Sequence, residues 1–399
     1  MRKAVLIQGL VLLTAPLLLL SQSAVNYNKG GINTLTTAVP FLLITPDARA
    51  GGLGDCGVAS SADANSSAWN GSKYAMADKD FGMSMSYTPW LRQLVPDISL
   101  TYLSGYKKIN KNAAVSASLR YFTLGQINFT DVNGNAIGTY KPSESSLDVG
   151  YSQKLSPMFA IGLTGRFIYS NLTQGIPLPN GTMTRAGTSG AADLSMYYLN
   201  NKIKLQDKKA EVSWGLNISN IGSKISYTDN ASPSSKSFIP IQMRLGGGLK
   251  IHMDENNSIT FLTDLTKLLV PAPDSPDPYA PIAKGMIESF SSTGGTPQEL
   301  REINEALGME YWYSSEGKQV MAFRMGYFHE DKTMGDRQFL TFGLGVRYTF
   351  VSIDMSYLVP LTQRNPLQNT LQFTLIFDFA AFKKGEAGNE TTPSPTPGN

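Results

Sequence analysis

The sequence predicts an all-β protein: a fourteen-stranded antiparallel transmembrane β-barrel of the outer-membrane type, with an N-terminal plug and helical insertions in an outside loop. Three observations carry that expectation. From Phe81 onward apolar residues alternate with small, polar or charged ones at period 2. The connections between these stretches switch between short and long without exception. Beyond the N-terminal leader no apolar run is long enough for a membrane helix.

The chain opens with Arg2 and Lys3, then the apolar stretch Ala4–Leu20, then Ser21-Gln-Ser23. That order reads as a secretory signal over residues 1–23. Gln8, Gly9 and Pro16 interrupt the apolar stretch and argue against a membrane anchor. A polar leader follows, then the apolar patch Val39–Ile44. Pro46–Ala75 is dense in Gly, Ala, Ser and Asn and fits neither strand nor surface loop. Residues 24–78 are therefore expected to form a leader and a compact plug, with 79–382 as the barrel around it. The Pro- and Thr-rich tail 383–399 is expected to be disordered.

The alternating stretches are 80–90, 97–109, 112–127, 145–155, 158–172, 190–205, 209–220, 238–252, 257–268, 308–314, 318–329, 338–349, 350–359 and 370–382. In the first, Phe81, Met83, Met85 and Tyr87 alternate with Gly82, Ser84 and Ser86. Short turns on one rim and long loops on the other belong to outer-membrane barrels. Only a closed barrel satisfies every strand's backbone in lipid. The apolar faces then meet lipid and the Ser/Gly/charged faces meet the lumen. Trp90, Trp214, Tyr311 and Tyr313 fall near strand ends, where aromatic girdles belong. The long connection 269–307 carries two helical patterns. Ile282, Met286, Ile287 and Phe290 form the first. The second has Thr296 as N-cap, Pro297 at the first position and Glu299 after it, with Leu300, Ile303 and Leu307 as its apolar face.

Composition narrows the chemistry. Charged residues are 16% of the chain, below the ~25% usual for globular proteins. The net charge of +3, without a long basic cluster, gives no reason to expect nucleic acid. Cys56, the sole cysteine, excludes an internal disulfide and sits too far past the signal to accept a lipid. His252 and His329 fall at opposite rims, so no shared metal or catalytic site and no cofactor are expected. A triad on His329 with Glu330 or Asp331, as in a rim-active lipid deacylase, has no supporting spacing. Gly51-Gly-Leu-Gly54 lacks the strand and the Lys-Ser/Thr of a phosphate loop. Arg120, Arg347, Asp354 and Asp378 lie on lumen faces, to pair with one another and with the plug.

Several motifs together resemble a known family. Ala48-Arg-Ala-Gly-Gly-Leu-Gly-Asp55, Tyr74-Ala75, Ser86-Tyr-Thr-Pro-Trp-Leu-Arg92, the run Asp97–Tyr106, Gly308-Met-Glu-Tyr-Trp-Tyr313 and Phe377-Asp-Phe379 are similar to the PorV family, the FadL-like outer-membrane proteins of Bacteroidetes type IX secretion. The resemblance implies a hatch built on Arg49, Gly51, Gly52, Gly54, Asp55, Asp63, Asn65, Trp69 and Asn70. It implies no enzyme. It implies partners: the type IX translocon, the C-terminal domains of secreted cargo, and the attachment complex with a PorU-type sortase, with outer-membrane lipid around the barrel. Cargo would be held by apolar residues of the outside loops, expected to be Trp90, Leu91, Ile176, Pro177, Leu178, Phe238, Ile239, Met286 and Phe290. Asn70-Gly-Ser72 stands where FadL-like hatches carry Asn-Pro-Ala, which weakens the carry-over of the fatty-acid transport mechanism. FadL-type transport of hydrophobic small molecules and rim-active lipid deacylation are the alternative functions.

Overall fold

The computed structural model describes residues 35–92, 95, 97–130, 133–173, 175, 182–229, 232, 235–271, 277, 279–291, 295–316, 318–362 and 367–379. The expected signal, the tail and Ile176–Leu178 lie outside these residues.

The alternating stretches form strands. They are β1 (Phe81–Pro89), β2 (Ser99–Lys108), β3 (Ala113–Thr123), β4 (Ile127–Thr130), β5 (Ala136–Tyr140), β6 (Ser143–Ser156), β7 (Phe159–Asn171) and β8 (Gly187–Leu205). They continue as β9 (Lys208–Gly222), β10 (Gln242–His252), β11 (Asn257–Leu268), β12 (Ile303–Ser315), β13 (Lys318–His329), β14 (Gln338–Tyr348), β15 (Val351–Pro360) and β16 (Thr370–Phe379). Fourteen of them close an antiparallel barrel in chain order, and β16 pairs with β1 through Phe81↔Phe379 to Tyr87↔Phe373. β4 and β5 form a separate hairpin inside a long loop, which the sequence reading left as plain connection.

The pleat sorts the side chains as period 2 demands. On β1, Met83, Met85 and Tyr87 are exposed on the outside, while Gly82, Ser84 and Ser86 are buried inside. Aromatic contacts ring the outer wall near the short turns, as in the stack of Tyr198 on Trp214 and of Phe81 on Phe379. No helix among the described residues is long and apolar enough to cross a membrane.

Several boundaries differ from expectation: β3 ends at Thr123, short of 127, and β8 begins at Gly187, ahead of 190. β12 starts at Ile303, so Ile303 and Leu307 sit on a strand rather than a helix, with Leu307 outside. The helical part of that loop is shorter: α2 (Ile282–Glu288) and α3 (Thr296–Arg301), following the single turn α1 (Ala48–Gly51) earlier in the chain. Gly295, at φ 69°, takes the N-cap position of α3, and Thr296 is the first helical residue. β10 starts at Gln242, leaving Phe238 and Ile239 in the preceding loop.

Candidate functional site

Residues 35–80 lie inside the barrel, for they meet every one of its fourteen strands. The segment starts beside the long loops, where Ala38 N–H donates to the Phe238 carbonyl at 2.9 Å. It reaches the short-turn rim at Asp80, whose carbonyl accepts from Lys108 N–H.

Arg49 is the main electrostatic joint. Nε and Nη2 donate to the two Glu310 oxygens at 2.9 Å each, a bidentate fork onto β12. Nη1 donates to Asp63 Oδ2 at 2.8 Å. Glu310 also accepts from Arg324 Nε at 2.9 Å, and Arg324 Nη1 donates to Asp354 Oδ1 at 2.6 Å. Charges of alternating sign thus run Asp63–Arg49–Glu310–Arg324–Asp354, from the segment into the wall. Each buried charge has partners, the condition for tolerating it. A second network, Asp148–Arg166–Asp193 with Asn220, joins β6 to β9 within the wall. Arg120 donates to the Leu42 carbonyl at 2.7 Å, so this lumen cation holds segment backbone.

Small residues let the backbones touch. Gly54 has φ +66°, and a Cβ there would lie 2.6 Å from the Tyr327 backbone nitrogen. Gly52 meets the Gly343 backbone of β14, while a Cβ on Gly51 would strike the Gln372 side chain. Asp55 follows at φ 69° beside the mouth. Asp47 accepts from Ala50 N–H and from Trp69 Nε1 at 2.6 Å, capping α1 and fixing the indole, over which Arg244 lies at 4.4 Å. Asn65 accepts from Ser84 Oγ on β1. Asn70 caps the turn Gly71–Met76, accepts from Ser72 N–H at 3.2 Å and donates to the Met196 carbonyl at 2.8 Å. The Ser72 hydroxyl adds a donor to Asn70 that an Ala could not supply. Lys73 Nζ donates to the Gly57 carbonyl and Ser60 Oγ, and burial pulls its ammonium down to about 8. Burial likewise pushes the Cys56 thiol well up.

The expected hatch residues are therefore brought together. Their partners Glu310, Asp264 and Arg324 escaped the sequence reading. Asp264 accepts from the Gly57 and Val58 amides at 2.8 and 3.0 Å. Its signal was an acid on the lumen face of an alternating strand, visible in sequence but without a visible partner.

The long-loop mouth departs further from expectation. Phe238 (8% exposed) and Ile239 (0%) are buried with Val39 and Phe41, so they cap the start of the lumenal segment instead of facing solvent. Met286 packs half-buried on that cluster. Trp90 and Leu91 are half-buried and line a mouth cavity of about 520 Å³ with Phe41, Ile44, Phe122 and Phe339. Phe290 is exposed at 53%, as are Ile287 (74%) and Leu300 (48%), which the sequence places on helical faces and not among the contact residues. The helices are anchored: Lys267 Nζ on β11 donates to Glu299 Oε2 at 2.9 Å and to Glu302, with the Phe290 ring 5.7 Å away. His252 meets Glu211 at 2.8 Å at the short-turn rim, and His329 stacks on Tyr327 at the other end. Among the described residues no group of three or more His, Cys, Asp or Glu is placed to hold a metal.

The profile of the family described as "Type IX secretion system protein PorV" matches residues 27–275. The chain belongs to the PorV family. It is thus an outer-membrane β-barrel protein of the type IX secretion system. No curated protein matches it. Solved barrels are similar at distance. The Pseudomonas putida toluene transporter TodX shares 10% identity, with 86% of this chain and 98% of that one covered and a TM-score of 0.48. The Ralstonia pickettii toluene transporter TbuX gives 9%, 84%, 98% and 0.45. A Pseudomonas aeruginosa FadL homologue gives 14%, 88%, 100% and 0.42. Likeness of this degree says nothing about ligand or activity.

Proposed function

We propose that this PorV-family barrel is a closed scaffold that works through its long-loop face. It binds the C-terminal domain of secreted cargo leaving the type IX translocon and delivers it to the surface attachment complex with its PorU-type sortase. The supporting observation is the lumenal segment, tied to all fourteen strands by buried ion pairs and backbone contacts. A lumen filled and keyed in this way is a poor conduit, which moves function to the faces. The exposed apolar residues Ile287, Phe290 and Leu300 on the anchored helical insertion are the contact positions. No catalytic step, metal or cofactor enters this reading.

The test is affinity capture from outer membranes with the wild-type chain and with I287D/F290D/L300D. Translocon, sortase complex or cargo C-terminal domain should co-purify with the first and fall away with the second. Capture of none of them by the wild-type chain sinks the proposal.

A second reading, uptake of a small apolar molecule, has the mouth cavity in its favour. L358W would fill that cavity. Under this reading uptake of an apolar solute stops; under the first, partner capture is unchanged.

A further inference from the structure

The short-turn rim, which faces the periplasm in a barrel of this kind, carries one irregular feature. β8 runs on from Leu199 to Leu205, seven residues past Tyr198, its last partner on β7. At the other short-turn interfaces the comparable overhang is three residues at most, as in Lys154–Ser156 of β6. Leu199 N–H still donates to the Met158 carbonyl, and beyond it the overhanging part pairs with β9 on one side only. Among the described residues no strand lies against its other edge. A bulge between Asn200 and Ile203 loosens the ribbon at its root.

The ribbon starts at the aromatic contacts of Phe159, Tyr198 and Trp214, which mark the lipid boundary. At roughly 3.3 Å per residue the overhang runs about 20 Å past the end of β7, which a strand tilt of about 40° turns into about 15 Å along the membrane normal. Lys202, Lys204, Lys208 and Lys209 are all exposed on it, against Asp207 and against Glu211, which Lys250 and His252 of β10 already engage. Lys208 is within electrostatic reach of Asp254 on the next turn. Lys204 and Lys209 stand directly opposite each other, a like-charge pair that works against the ribbon's own stability. The Lys202 amide is held by Asn200 Oδ1; the rest of the open edge offers backbone groups for an added strand, and lysines along it repel all but acidic ones.

We propose that the β8–β9 ribbon is a periplasmic docking edge for an extended acidic segment of a soluble protein, which adds to β8 as a further strand. Backbone pairing supplies the affinity and Lys202, Lys204 and Lys209 supply the selection for negative charge. The membrane surface is the less favoured partner because the tip stands beyond the lipid boundary.

The experiment uses the full chain in phosphatidylethanolamine nanodiscs and a fluorescent peptide of alternating Glu and Val. Saturable binding is expected, weakening as salt rises and about tenfold weaker in K202Q/K204Q/K209Q. N-methylation of alternate peptide amides should abolish it, a result that needs no protein variant. Absence of saturable binding, equal binding of a Lys/Val peptide, or equal binding of the N-methylated peptide overturns the proposal. So does quenching of a Leu205→Trp fluorophore by brominated lipid, which would place the tip in the membrane.

Discussion

The lumenal segment and the long-loop mouth are neighbours, yet they are built on opposite plans. In the segment, charged residues such as Arg49 and Asp63 are buried and matched. Around the mouth, α3 hangs on Lys267 and α2 packs on the apolar cluster, and the two leave large apolar side chains in solvent. The first plan fixes one conformation; the second keeps surface available. The contrast teaches that in this barrel polarity does the gluing and apolarity does the offering, the reverse of a water-soluble protein. The reversal follows from lipid outside and a polar lumen inside.

The contrast can be broken most severely at Arg49. R49M strips Glu310 and Asp63 of a partner inside the lumen, and a change of this kind costs about 3–5 kcal/mol. Urea unfolding should show that loss, and planar-bilayer recordings should show new conductance. A variant as stable and as silent as wild type would mean the segment is not keyed by charge. Within the mouth, F238A removes a buried ring and should cost roughly 3 kcal/mol. F290A, at an exposed ring, should stay within about 0.5 kcal/mol by the same assay. Equal costs would erase the distinction between capping and offered residues. G54A forces a Cβ into a left-handed backbone against Tyr327 and should cost about 1–3 kcal/mol. The smallest expected signal is none at all: a membrane-impermeant thiol reagent should leave Cys56 unlabelled on intact cells, because the thiol is buried and its thiolate suppressed. Fast labelling would mean that the segment opens to the outside.

Much of this was legible in the chain. Period-2 alternation and the rhythm of connections determine a fourteen-stranded closed sheet, because both are local properties. Leu300, Ile303 and Leu307 misled because their spacing suits a helix while Ile303, Glu305 and Leu307 also suit one face of a strand; pairing with β11 and β13 decides for the strand from Ile303 onward. Phe238 and Ile239 read as exposed because loops usually are. They are buried because that loop folds down onto Val39 and Phe41, a contact spanning most of half the chain. The partners of Arg49 stayed hidden for the same reason: Glu310 is 261 residues away. A lumen charge announces that it needs a partner, not which one.

The seam between β16 and β1 has a consequence for assembly. The lumenal segment precedes every strand in the chain, yet Ala48 is tied to Thr374 on the last one, 326 residues later. Glu310 and Thr341, which hold Arg49 and Gly54, also belong to late strands. Loop closure of this length costs entropy before any contact repays it. The segment's berth is therefore complete only with the final stave, although β1, β2 and β3 also hold it through Asn65, Ala64 and Ser67. Closing the ring completes the seat, so a chain interrupted before β16 loses the seam with β1 and the hold of Thr374 on Ala48.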